Sequence, residues 1–167
     1  LDQNRVLRFG PRMTANDSWG RTFLNSDIHI GIPEFMGGSS KEDPNASRVG
    51  SGGQFFYLTG SLARLVRLPK EAILILKTSG QWSVDPLNSL EQFRAGGAFS
   101  VRGYPESDST GDSGYLWSSE LRLPPYFLPR DWKIPGFKGK TWRSAISILG
   151  FIEGANTYNY KRQSAQS

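Results

Sequence analysis

Cysteine is absent from the 167 residues. That excludes disulfides, thiolate zinc sites and cysteine nucleophiles. It also suits a chain that crosses an oxidising compartment unfolded. Histidine is nearly absent, with His29 standing alone. A metal site of histidines or cysteines would need further ligands at suitable spacing. No nucleophile motif accompanies His29, so neither catalysis nor a cofactor is expected. Asp108 and Asp112 lie in a Gly/Ser-rich stretch whose spacing does not match a calcium loop. Apolar content is 37% with glycine left out. No run approaches the roughly 20 apolar residues of a membrane-spanning helix. The first residues lack the apolar core of a signal peptide, and the expectation is an internal fragment of a longer protein. The net charge of +5 is dispersed over Arg5, Arg8, Arg12, Arg21, Arg64 and Arg67 and their like. Aromatics do not interleave with these cations, so no nucleic-acid partner is expected.

The chain is rich in glycine and aromatics, with 19 Gly, 10 Phe, 6 Tyr and 5 Trp. The hydrophobic period is two, the signature of strands. Residues 5–13 place Leu7, Phe9 and Pro11 opposite Arg8 and Arg12. Residues 22–32 place Leu24, Ile28, Ile30 and Ile32 opposite Asn25, Asp27 and His29. Residues 72–83 set Leu74, Leu76 and Trp82 against Lys77, Ser79, Gln81 and Ser83. Residues 115–123 set Tyr115, Trp117, Leu121 and Leu123 against Glu120 and Arg122. Residues 144–154 set Ile146, Ile148 and Ile152 against Ser147 and Glu153. Residues 55–68 are strand-like, but Arg64 shares a face with Leu58 and Leu62. That arginine marks a membrane rim, where it can snorkel, or a bulge.

Six strands follow, in an all-β antiparallel meander with one apolar and one polar face. A soluble sandwich would alternate in the same way with its apolar face inward. Two features favour a transmembrane barrel. The strands run to about 10 residues, the length a tilted outer-membrane strand needs. Short connections (16–21 and 69–71) also alternate with long ones (33–53 and 85–113), as periplasmic turns alternate with external loops. The Pro-rich connection 124–141 is long where a short one is due. Six strands cannot close a membrane barrel, for which about eight is the minimum. Open edges in lipid would leave backbone groups unpaired, so further strands are required. Residues 1–167 thus read as part of a larger barrel domain, an incomplete segment.

One stretch carries far more information than the rest. Gly96-Gly97 is followed by Ser100-Val101-Arg102-Gly103-Tyr104, then by Gly111-Asp112-Ser113-Gly114-Tyr115 and Ser119-Glu120-Leu121-Arg122. As plain surface loop, its glycines would supply only tight turns. That leaves unexplained an arginine fixed between Val101 and Gly103. The order of these motifs resembles the outer-membrane assembly and secretion barrels, and most closely the two-partner secretion transporters (TpsB type, haemolysin secretion/activation family). The resemblance is dense from Gln92 to Leu123, weaker over Gly150 to Gly154, and elsewhere a matter of pattern.

The resemblance implies a barrel of about sixteen strands in the bacterial outer membrane, with periplasmic POTRA domains upstream and this chain in its C-terminal part. It implies secretion of a partner polypeptide (a TpsA-type exoprotein), contact with outer-membrane lipids, and no enzymatic activity. In such barrels the Val101, Arg102, Gly103 and Tyr104 tetrad tips a loop that folds into the lumen. Its arginine there meets an acidic residue in a Phe-x-Asp-x-Gly strand motif. The matching segment here is Phe151-Ile152-Glu153-Gly154-Ala155, with Glu for Asp and Ala for the last Gly. Glu153 is therefore the expected wall partner of Arg102. Glu120, Arg122 and Lys77 are further lumen charges, and the first two could compete as partners. Two other functions remain open at this point: an outer-membrane protein insertase of the same superfamily (BamA or TamA type), and a passive porin-like barrel.

Overall fold

A computed structural model describes residues 5–33, 48, 51 and 53–160. The chain forms one antiparallel sheet with a small hairpin laid beside it. In chain order the main-sheet strands are β1 (Val6–Phe9), β2 (Arg12–Asp17), β3 (Gly20–Gly31), β4 (Phe56–Arg67) and β5 (Ile73–Ser83). Next comes the hairpin of β6 (Phe93–Ala95) and β7 (Ser109–Gly111). Strand β8 (Ser113–Leu123), the helical turn α1 (Trp142–Ala145) and β9 (Ile148–Tyr158) complete the chain. The sheet order is β1-β3-β4-β5-β8-β9, with β2 also on β3. Each long strand thus pairs with its neighbours in sequence, giving a meander. Strands of 11 and 12 residues are long enough for a tilted crossing of a bilayer.

The first expected strand is present in two pieces on one register. Arg8 faces His29 in β3, and Arg12 faces Asn25. The interruption falls at Gly10-Pro11 because proline has no N–H to give the ladder. Gly10 lies so close to β3 that a Cβ there would fall 1.8 Å from the Ser26 carbonyl oxygen. Pro11 still accepts from Ser26 N–H at 3.1 Å through its own carbonyl.

Residues 144–147 do not continue the last strand, as the alternation had suggested. Thr141 Oγ1 accepts from Ser144 N–H at 3.3 Å, and Ser144 Oγ accepts from Thr141 N–H at 3.1 Å. This reciprocal cap starts a helical turn and removes Ser144 to Ile146 from the sheet. Ile146 caps that turn, so it is not a lipid-face strand residue. The strand instead runs four residues further, to Tyr158.

The two faces of the sheet have opposite fates. Leu24, Leu62, Leu76, Trp117 and Ile148 lie on the apolar face and are 40–49% exposed. Asp27, His29 and Glu120 lie on the polar face and are buried. A soluble sandwich would bury the first set and wet the second. This inversion is what a membrane barrel requires, with lipid against the apolar face. Arg64 is the exception on the apolar face. It sits in unbroken register opposite Thr22 and Leu76, so no bulge is present. Its guanidinium reaches Asp17 at 2.9 Å and Thr22 Oγ1 at 2.6 Å beside the short β2–β3 turn.

The connections divide by end. The β2–β3 turn and the 3-10 turn Pro69–Glu71 lie at one end with residues 124–147. Tyr126 Oη donates to the Lys70 carbonyl there at 2.9 Å. The connection after β3 and the segment 84–112 lie at the other end; most of the former falls outside the described residues. The small apolar cluster of Phe55, Tyr57 and Leu87 packs at this long-loop end. Among the described residues both sheet edges, β1/β2 and β9, lack a second partner. The fold is thus an incomplete segment of a larger barrel.

Candidate functional site

The Arg102 loop is held in shape by its own short bonds. Gly97 N–H donates to the Tyr104 carbonyl at 3.0 Å and Ser100 N–H to the Gly97 carbonyl at 3.2 Å. Ser100 Oγ donates to the Gly96 carbonyl at 2.7 Å and accepts from Gly96 N–H at 2.8 Å. Gly103 has a φ of 91° and open space where a Cβ would stand. Glycine is needed there for its backbone angle rather than for room. Val101 is buried, which leaves Arg102 presented at the tip.

Arg102 lies against the polar face of β8 and β9. Its backbone N–H donates to Glu153 Oε2 at 2.8 Å. Its side chain donates to Glu153 Oε1 from Nε at 2.9 Å and from Nη2 at 2.6 Å. Nη1 donates to Glu120 Oε2 at 2.8 Å. The guanidinium carbon stands 3.6 Å from the centroid of the Phe151 ring, a stacked cation–π contact. Ser118 Oγ supplies a further donor to Glu153 at 3.0 Å, and Arg122 Nε one to Glu120 at 2.6 Å. Glu153 therefore grips the loop backbone and the arginine head together.

The charge arrangement explains why one arginine takes two acids. In the β8–β9 register Glu120 faces Phe151 and Ser118 faces Glu153. The two carboxylates are thus diagonal neighbours on adjacent strands, where like charges oppose each other. Their side chains are 11% and 7% exposed, so water screens them little. Arg102 enters between them, and Arg122 balances the remaining charge. Lys77 lies on the same face opposite Ser118 but is exposed and is not drawn into the cluster. Val101 and Tyr104 line a cavity with Glu153, Gly154 and Ala155.

The polar face carries a second group further along the sheet. Asp27 accepts from Arg8 at 2.6 Å and from Arg12 at 3.5 Å. His29 stacks on Tyr57 with ring centroids 4.2 Å apart, and its Nε2 is 3.2 Å from Thr59 Oγ1. These contacts lie on the polar face of the sheet, and the hydroxyl beside the imidazole is that of Thr59.

A third constellation escaped the sequence reading. Asp112 is 1% exposed. Its carboxylate accepts from Arg48 Nη1 at 2.5 Å and Nη2 at 3.2 Å, from Leu87 N–H at 2.9 Å and from Tyr160 N–H at 2.7 Å. Arg48 belongs to the connection after β3 and also donates to the Leu87 carbonyl at 2.8 Å. Asp112 thereby ties both long connections to the end of β9. The flanking glycines make room for it. A Cβ on Gly111 would stand 2.8 Å from Tyr158 N, and one on Gly114 would stand 2.4 Å from the Phe93 ring. The spaced glycines around Asp112 were the available signal, but nothing local pointed to Arg48.

Burial pushes the Asp112 carboxyl up, but Arg48 and the N–H groups of Leu87 and Tyr160 outweigh it and hold the carboxyl below its ordinary value. A depressed native pKa stabilises the fold fully above the unfolded carboxyl pKa of about 3.9, and the contribution is lost as pH falls through the native value. Thermal midpoints of the full-length protein from pH 7 to 3 should therefore fall more steeply below about pH 4 in wild type than in Asp112→Asn. Parallel curves would show that Asp112 carries no such linkage.

The family model for the haemolysin secretion/activation proteins ShlB/FhaC/HecB matches residues 8–139. The chain belongs to this family. The match takes in the Arg102 loop, Glu120 and Arg122, and it ends before Glu153. Over 83 residues, 50% of the chain, the sequence is 31% identical to the outer membrane transporter CdiB of Dickeya dadantii (strain 3937), and it covers 13% of that protein. The fold is similar to that of CdiB from Escherichia coli, with a TM-score of 0.61 at 25% identity, over 75% of this chain and 23% of that one. The chain thus spans less than a quarter of either relative.

Proposed function

We propose that residues 1–167 are the C-terminal part of an outer-membrane barrel that secretes a partner polypeptide, of the exoprotein kind used in two-partner secretion. Family membership and the likeness to CdiB support secretion over membrane-protein insertion. In the complete barrel the loop bearing Val101, Arg102, Gly103 and Tyr104 folds into the lumen and is clamped there by Glu153 and Glu120. The observation that carries this reading is the four-point grip of Arg102 on the polar face of β8 and β9. A passive pore has no use for a half-buried arginine that fixes a loop to its wall. A secretion channel needs such a loop where it can set the width of the path or meet the passing chain.

The test is removal of the loop tip, residues 98–103, from the full-length transporter. The barrel should still reach the outer membrane and keep its heat-modifiable mobility, because the tip makes none of the sheet ladder. The partner polypeptide should be retained in the periplasm. Secretion at the wild-type level from such a deletion would remove the loop from the mechanism.

A further inference from the structure

Residues 124–147 are far longer than the end of the barrel requires. The neighbouring β4–β5 connection makes the same return with a single 3-10 turn, Pro69–Glu71. The extra length is built rather than loose. Lys133 and Thr141 form a bridge, Trp142 N–H donates to the Trp132 carbonyl at 3.0 Å, and Ile134 N–H donates to the Lys140 carbonyl at 3.1 Å. The rings of Trp132 and Trp142 lie 6.2 Å apart. Arg143 stands 5.2 Å over the Tyr126 ring. Yet the structure buries little of its apolar surface. Phe127, Phe137 and Trp132 are 77%, 61% and 55% exposed. Five cations, Arg130, Lys133, Lys138, Lys140 and Arg143, accompany them against the single acid Asp131.

We propose that this hairpin is a foot that rests on the anionic phospholipid surface of the leaflet at the short-turn end of the barrel. Three observations choose lipid as its occupant. Exposed aromatics mixed with lysine and arginine are the composition of a segment lying at a membrane interface. The net charge is positive, five cations against one acid, complementary to anionic headgroups, and nearly equals the net charge of the whole chain. The foot also leaves and rejoins the wall at Leu123 and Ile148, a register pair on the outward apolar face. It therefore begins where the apolar band ends and headgroups must begin. Lysine stems can lie on the apolar side and lift their charge to the phosphates.

This rests on the barrel reading above, and one experiment separates the two. These 167 residues have no cysteine to interfere, and a full-length transporter with any cysteine elsewhere replaced by serine and a single one introduced takes one fluorophore. Asp131→Cys reports the foot, and Thr78→Cys reports the middle of the lipid face of β5. Both are labelled with nitrobenzoxadiazole and reconstituted in vesicles of phosphatidylcholine with or without phosphatidylglycerol. Headgroup spin-labelled lipid should quench the probe at 131, more strongly with phosphatidylglycerol present. Replacing Lys133, Lys138, Lys140 and Arg143 by Gln should cut that quenching to roughly half or less, and raised salt should do the same. Acyl-chain spin label should quench the probe at 78. Quenching at 78 without quenching at 131 overturns the foot and spares the barrel. A blue-shifted but unquenched probe at 131 does the same and assigns the surface to protein. No quenching at 78 overturns both.

Discussion

Arg102→Ala in the full-length transporter is expected to abolish most secretion of the partner while leaving the barrel in the membrane. The substitution removes the four contacts that the guanidinium makes, three hydrogen bonds and the Phe151 ring, and leaves the backbone N–H bond to Glu153. It also strands two carboxylates on neighbouring strands. Glu120 keeps Arg122, but among the described residues Glu153 keeps Ser118 Oγ and one backbone N–H. Removing one partner of a fully buried pair costs about 3–5 kcal/mol. Arg102 is 30% exposed, so screening by water reduces that cost here. Without the guanidinium the loop keeps the Arg102 backbone bond to Glu153 and loses its side-chain hold on the wall. Arg102→Lys should recover little, because an ammonium cannot make the two-oxygen fork and does not stack flat on Phe151. Exchanging the pair as Arg102→Glu with Glu153→Arg sets the new glutamate against Glu120, which now sits 2.8 Å from Arg102 Nη1. The exchange alone should therefore restore secretion only in part, and adding Glu120→Gln should restore more. Secretion assays on this series, with surface-exposed barrel as the control, decide the matter. Wild-type secretion from Arg102→Ala would show that the clamp is structural decoration on an ordinary wall.

The wall of the barrel was legible because each residue states its side locally. Leu74, Leu76 and Trp82 against Lys77, Ser79 and Gln81 need no tertiary information, and the long β5 follows from them. Where the sequence misled, two local signals competed. Ser144 to Ile152 alternates well enough to start a strand, but Thr141 and Ser144 cap each other and the first turn goes helical. The site divides the same way. Periodicity put Glu120, Arg122 and Glu153 on the polar face without help. The pairing of Arg102 with an acid came from the motif resemblance, since no local rule says where a loop tip lands. That Arg102 touches both acids depends on the β8–β9 register, which places them diagonally. Arg48 and Asp112 are 64 residues apart and share no pattern, so only the closed structure brings them together.

That distant pair leads to the second large effect. Asp112→Ala is expected to open the long-loop end of the barrel without unfolding its strands. The carboxylate accepts from three separate segments: Arg48, Leu87 and Tyr160. Alanine leaves the buried Leu87 N–H and the part-buried Tyr160 N–H without their acceptor, and leaves Arg48 with the Leu87 carbonyl alone among the contacts drawn above. Each unsatisfied buried donor costs about 1–3 kcal/mol, and the separated charge adds to it. The sheet ladder itself is untouched, because Asp112 lies between β7 and β8 and its neighbours in β8 pair through their backbones. The loss should therefore appear as loop release. Trypsin added to intact cells should cut after Arg48 and Arg94 in Asp112→Ala far faster than in wild type, while the barrel remains heat-modifiable. Asp112→Asn keeps the shape and one acceptor oxygen but not the charge, so its cleavage should fall between the two. Secretion by Asp112→Ala should be reduced less than by Arg102→Ala, since the Arg102 clamp on Glu153 is made by other residues. If trypsin cleaves Asp112→Ala and wild type at the same sites and rates, the hub does not hold the loops. In that case the mouth of the barrel is closed by the wall and the Arg102 clamp alone.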